Sequence, residues 1–171
     1  MIIRQARTED AAAIAGVHVQ SWQQAYRQLI PADYLTSLDA TLDHRARLWR
    51  ESLEKGEPQV YVALDAEQVV GWIAFAPSRD VDARPRSTGE VQALYVLAEH
   101  WGSGVGRSLW LTARQALFEQ GFGAVTLWVL RRNDQALRFY HNAGFSPEEA
   151  SVRTISRGGW TLEEVRYRCN L

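Results

Sequence analysis

A chain of 171 residues, 46% apolar and 23% charged, is long enough for one domain with a full hydrophobic core and has an ordinary globular balance. A formal net charge of −1 excludes a global basic field that would draw nucleic acid or an anionic membrane. A lone cysteine, Cys169, excludes an internal disulfide, "MIIRQARTED" lacks the apolar core of a signal peptide, and no apolar run nears the roughly 20 residues of a membrane span, so a cytoplasmic location is expected.

"MIIRQA" reads as a first strand. Thr8 is a good N-cap, with Glu9 and Asp10 in the first turn of the helix that follows. Ile14, His18, Trp22 and Tyr26 recur every fourth residue along one face of it, and "LIPADYL" breaks it at Pro31. A second helix runs through Leu42, Leu48, Trp49 and Leu53 to "KGEP". "QVYVALD" and "QVVGWIAFA" form a hairpin, followed by a polar loop carrying Arg79, Arg84 and Arg86. "EVQALYV" is a strand leading into the glycine stretch "HWGSGVGRSLW". After it comes a helix with Leu109, Ala113, Ala116 and Leu117 on one face, stopped at Gly121. "AVTLWVL" has little polar alternation and reads as a strand buried on both faces. "NDQALRFYHNAG" is a short helix capped by Asn133, and "SVRTIS" and "LEEVRYRCN" close the chain as a hairpin around "RGGW".

The predicted order is β-α-α-β-β-β-α-β-α-β-β, an α/β single domain over residues 1–171, with a mixed sheet and helices on both faces. No break in composition marks a second domain.

Gly102, Gly104 and Gly106 stand where a strand hands over to a helix, a place where they weaken the helix unless a positive φ or a close approach requires them. Their spacing excludes three familiar loops. A dinucleotide fingerprint would need Gly in place of Arg107, a P-loop run is absent, and a nucleophile elbow would need Gly in place of Trp101. What remains is a strand, a glycine turn and a helix N-terminus whose free N–H groups suit an anion. A tight turn without a ligand is the other reading of the glycines alone. The four histidines show no metal-ligand spacing and Cys169 stands alone, so no metal is expected.

"LYVLAEHWGSGVGRSLW" followed by "NDQALRFYHNAGF" resembles the GNAT acetyltransferase superfamily, and the order of elements extends the resemblance to the whole chain. The resemblance implies the GNAT fold, about seven strands splayed at the centre, and acetyl-CoA as cosubstrate. Trp101, Gly102, Ser103, Gly104, Val105 and Gly106, with Arg107, fill the pyrophosphate loop; Trp101 replaces the usual Arg or Gln. Asn133, Ala136, Tyr140, Gly144 and Phe145 match the second motif. Leu94, Tyr95 and Val96 would pair their main chain with the pantetheine arm, and a backbone N–H near Leu94 would face the thioester oxygen.

The same resemblance gives Tyr140 the role of acid at the leaving sulfur and Glu90 that of base, acting through water on the attacking amine. A packing role for Tyr140 and a solvated strand end for Glu90 stay open on the residues alone. Trp22 and Tyr26 fall where such proteins bind the acceptor, with "RGGW" and Trp160 opposite; His18 could share that wall or simply pack. The implied activity is direct acetyl transfer to a primary amine, a small metabolite or amino-acid-like compound. A protein or peptide N-terminus is the alternative acceptor, and a non-catalytic acyl-CoA sensor the alternative function. Neither nucleic acid nor membrane is an expected partner, and a homodimer is compatible with the sequence.

Overall fold

The computed structural model describes residues 1–84 and 87–171. Its elements are β1 (Ile2–Gln5), α1 (Ala11–Ala25), α2 (Ala32–Ser37), α3 (Leu42–Lys55), β2 (Gln59–Asp65), β3 (Gln68–Pro77), β4 (Thr88–Val96), α4 (Val105–Glu119), β5 (Ala124–Leu130), α5 (Asp134–Asn142), β6 (Ser146–Arg157) and β7 (Trp160–Asn170). The strands form one seven-stranded sheet, β1-β2-β3-β4-β5-β7-β6. Only β4 and β5 run parallel, joined by α4 as the crossover; every other pair is antiparallel. The predicted order holds, with α2 as an added element.

Each sheet face carries its own core. Leu109, Ala113 and Leu117 of α4 pack with Phe75, Val125, Leu127 and Phe145 on one side, where the residues of α5 also lie. On the other, Ile14 and Val17 of α1 and Trp49 and Leu53 of α3 cover Val60, Val62, Trp72 and Ala74. Trp72 is fully buried, and its indole N–H donates to the Ile14 carbonyl at 3.1 Å, so the one polar atom of a large core side chain is satisfied while it fastens α1 to the sheet. β5 is buried along nearly its whole length, as its apolar run predicted.

Two N-terminal expectations are corrected. Thr8 does not cap α1; it opens a 3₁₀ turn, Thr8–Asp10. Asp10 organises this corner instead, accepting the Arg7 N–H at 2.7 Å and the Arg4 guanidinium at 2.7 and 2.9 Å. Pro31 does not break α1, which ends at Ala25; it stands at the N-cap of α2, where its fixed φ suits a helix start.

Asp10→Ala should cost about 1–3 kcal/mol in urea unfolding, the range for a buried charge-assisted hydrogen bond. The Arg4 hydrogen bond holds the Asp10 carboxyl below its ordinary value of 3.8. Its contribution is therefore complete above that pH and is lost as pH falls through the depressed native value. The difference between wild type and variant should be flat near neutrality and shrink only in that acid window.

Candidate functional site

β4 and β5 are paired only from Thr88 to Val91, opposite Ala124 to Leu127. Beyond Val91 they part. On the β3 side, the register of β4 shifts between Val91 and Ala93, leaving Gln92 as an extra residue. A bulge of this kind bends and twists its strand, and it sits at the point of departure. From Gln92 to Val96, β4 keeps β3 on one edge and presents an open edge to the gap. Unpaired backbone groups inside a sheet demand partners. The predicted splay is therefore present, and Leu94, Tyr95 and Val96 line it.

The gap widens into one cavity of about 610 Å³. At one end lies the glycine turn. Gly102 and Gly104 have φ of +74° and +90°, the left-handed region that favours glycine. Gly106 has a different reason: a Cβ there would stand 3.2 Å from the Phe139 ring, so its absence lets α4 approach α5. The first intrahelical bond of α4 runs from the Ser108 N–H to the Gly104 carbonyl at 2.9 Å. The N–H groups of Val105, Gly106 and Arg107 precede it and have no partner within the helix. With the positive end of the dipole they give this end of the cavity a positive potential that favours an anion.

Trp101, in the position where the resemblance predicted Arg or Gln, ties the loop down by donating its indole N–H to the Val96 carbonyl at 2.8 Å. Ser103 does not line the cavity; its hydroxyl donates to the His100 carbonyl at 2.6 Å.

Tyr140 lines the middle of the cavity from α5. Asn133 caps that helix, its side-chain oxygen accepting the Ala136 N–H at 3.2 Å. The rings of Phe139 and Phe145 meet Tyr140 edge-on at 5.2 and 5.6 Å and fix its orientation. Among the described residues no hydrogen bond engages the Tyr140 hydroxyl, and burial, with Tyr95 nearby, pushes its pKa up well beyond the usual phenol. The hydroxyl thus keeps its proton through the physiological range, as a donor must.

Glu90 reaches the cavity wall, but its carboxylate is already engaged. It accepts the Arg79 N–H and Nε at 3.1 Å each and Arg79 Nη2 at 2.7 Å, and its side chain is only 4% exposed. The loop that carries Arg79 is anchored in turn, because Asp80 accepts the Trp128 indole N–H at 2.9 Å and pairs with Arg166. Arg166 also binds Asp82 and Glu148. Arg79 is therefore part of a built wall, whereas Arg84 is exposed and Arg86 lies outside the described residues.

Trp22 and Tyr26 line the cavity as well, with their rings 5.1 Å apart. Burial raises the Tyr26 and Tyr95 phenols. His18 does not line the cavity. It stacks on Tyr95 at 4.9 Å, and burial drives its pKa down to about 3, so it is a neutral packing residue. Trp160 is exposed and outside the cavity.

The last hairpin supplies another part of the lining: Arg153, Ile155 and Arg157 of β6, with Leu162 and Glu164 of β7. Of these only Arg157, which opens "RGGW", falls in the stretch expected there. Strict alternation along "RTISR" and "LEE" was the only signal available for the others. Glu164 is 14% exposed and pairs through one oxygen with Arg153 Nε at 2.7 Å. Its other oxygen has no hydrogen-bond partner among the described residues. Also among those residues, no cluster of three or more His, Cys, Asp or Glu could hold a metal, and no helix is long and apolar enough to cross a membrane.

The acetyltransferase (GNAT) family model matches residues 6–145. YuaI of Bacillus subtilis (strain 168), an uncharacterised N-acetyltransferase, is 34% identical over 164 residues, spanning 95% of this chain and 89% of that protein. Among solved structures, the fold is similar to PaiA N-acetyltransferase from Thermoplasma acidophilum in complex with coenzyme A, with a TM-score of 0.76 at 19% identity over 99% of this chain and 98% of that one. It is equally similar to a ribosomal-protein-alanine N-acetyltransferase from Brucella melitensis, with a TM-score of 0.75 at 20% identity over the full length of both.

Proposed function

The chain belongs to the GNAT acetyltransferase family, and from that premise we propose that it acetylates a small, amino-acid-like primary amine by direct transfer from acetyl-CoA. It is an acyltransferase, and acetyl-CoA is its cosubstrate. The observation that carries the mechanism is the convergence on one cavity of three features: the open edge of β4, the glycine turn at one end and the unengaged Tyr140 hydroxyl between them.

The pyrophosphate lies on the N–H groups of Val105, Gly106 and Arg107, and the pantetheine arm pairs with β4 over Leu94 to Val96. A β4 amide near Leu94 donates to the thioester oxygen as it becomes an oxyanion. The neutral amine attacks the carbonyl carbon from the Trp22 and Tyr26 side. A C–N bond forms and the C–S bond breaks; the nitrogen sheds its extra proton to water, and the sulfur takes up the proton of the Tyr140 hydroxyl, which solvent then restores, so that coenzyme A leaves as the thiol.

An alkylamine with a pKa near 10 arrives protonated and must lose that proton to a base. Two carboxylates flank the acceptor end. Both oxygens of Glu90 already accept from Arg79, whereas Glu164 keeps one free. That difference favours Glu164 as the base, working through water, with Glu90 as the alternative.

Glu164→Gln should lower turnover severalfold to about tenfold near neutrality and leave a rate that climbs with pH as the amine loses its own proton. The loss should vanish above about pH 10, where the amine is already neutral. Glu90→Gln should retain the wild-type pH profile and instead lower the melting temperature, because Arg79 loses its partner. The opposite pattern returns the role to Glu90. Acceptor class is tested by comparing kcat/KM for free amino acids with that for peptides bearing the same N-terminal residue. The small-acceptor reading predicts preference for the former, and preference for the peptide would favour a protein N-terminus.

A further inference from the structure

The cavity holds more positive than negative charge, and the excess is not spread evenly. Four arginines line it, Arg79, Arg107, Arg153 and Arg157, against two carboxylates, Glu90 and Glu164. Arg79 is spent on Glu90 and Arg153 on Glu164. Arg107 stands on the glycine turn, at the coenzyme end. Arg157 stands at the acceptor end, and among the described residues it forms no ion pair. One guanidinium nitrogen donates to the Ser156 carbonyl at 2.8 Å, and the rest of the fork is free.

The position of Arg157 is fixed. It closes β6, paired with Trp160 of β7, and the next residue, Gly158, sits so close to Tyr34 of α2 that a Cβ there would come within 2.7 Å. The hairpin tip is thus seated on α2. The guanidinium lies 5.8 Å from the centre of the Trp22 ring.

Ser21 and Trp22 belong to the same lining, but the Ser21 hydroxyl and the Trp22 indole N–H are buried beneath its surface, without a hydrogen-bond partner among the described residues. Arg157 therefore brings the spare donors to this end of the cavity, and a guanidinium fork so placed calls for a small anion.

We infer that Arg157 binds a carboxylate of the acceptor, so that the acceptor is an amine that also carries a carboxylate. This rests on the acetyl-transfer reading and narrows it. A planar carboxylate fits the free fork of a guanidinium, and the positive end of the cavity repels polyamines and other purely cationic amines.

The test uses the twenty common L-amino acids and their α-amides as matched acceptors, with wild type, Arg157→Gln and Arg157→Lys. Wild type should prefer the acid of its best pair by about tenfold or more, the scale of a hydrogen-bonded ionic contact. Arg157→Gln should bring the acid down to the level of the amide, through KM for the acceptor rather than KM for acetyl-CoA. Arg157→Lys should recover part of the preference. Equal use of acid and amide by wild type, or a preference that survives in a folded Arg157→Gln, would overturn the inference.

Saturation-transfer NMR of the same amino acids with coenzyme-A-loaded protein separates this from the activity itself. Arg157-dependent binding without acetylation upholds the carboxylate site while the acetyl-transfer reading fails. Neither turnover nor Arg157-dependent binding of any carboxylate overturns the site.

Discussion

Tyr140→Phe should reduce turnover by roughly 10²-fold or more, the scale for losing a positioned proton donor. The substitution keeps the ring that Phe139 and Phe145 hold and removes only the hydroxyl, which bonds to no other described residue. Stability should therefore change little. Affinity for acetyl-CoA should survive, because the phosphates and the pantetheine arm use main-chain groups. The defect should shrink with an acyl donor whose thiol is more acidic, since a better leaving group needs the donor less. Because burial raises the Tyr140 phenol, its deprotonation contributes no alkaline fall in rate below pH 10. Turnover at the wild-type rate in Tyr140→Phe, with chemistry shown to limit it, would leave Tyr140 as a packing residue.

Gly104→Val acts at the other end of the cavity and should raise KM for acetyl-CoA by about 10–100-fold, the equivalent of one well-placed hydrogen bond to a charged group or somewhat more. Gly104 has φ of +90°, and a Cβ there meets nothing within 4 Å. The penalty is therefore one of backbone conformation, about 1–2 kcal/mol for a residue forced into the left-handed region. A loop that relaxes from it moves the Val105, Gly106 and Arg107 amides off the phosphates. The melting temperature should fall only slightly, and calorimetry with coenzyme A should show the lost affinity directly. Unchanged affinity in a folded variant would remove the pyrophosphate from this turn.

What could be read from the sequence was what local rules decide. The glycine turn, the Asn133 cap, the buried run of β5 and the stop at Gly121 each depend on a few neighbouring residues, and the structure contains all of them. The turn carries two kinds of demand that spacing alone cannot separate: positive φ at Gly102 and Gly104, and helix contact at Gly106.

Most of the wall built by the last hairpin was not legible in the same way. Beyond "RGGW", Arg153, Leu162 and Glu164 reach the cavity because the sheet order inserts β7 between β5 and β6, a long-range choice that leaves no mark on local pattern. The hold of Arg79 on Glu90 follows from a loop fastened by Trp128 and Arg166, residues some 40 to 90 positions further along the chain. Thr8 misled for a simpler reason. It is a good capping residue next to an aspartate that makes a stronger, charge-assisted set of bonds, and the chain follows the stronger set.

The most direct test of the central claim follows release of the coenzyme thiol while acetyl-CoA and the protein are offered a panel of amino acids, polyamines, other small amines and peptide N-termini, with products identified by mass. Transfer predicts at least one primary amine for which thiol release and N-acetyl product appear in equal amounts, well above the rate without amine. Tight binding of acetyl-CoA with no amine-dependent thiol release anywhere in the panel would contradict it and make the protein an acyl-CoA sensor.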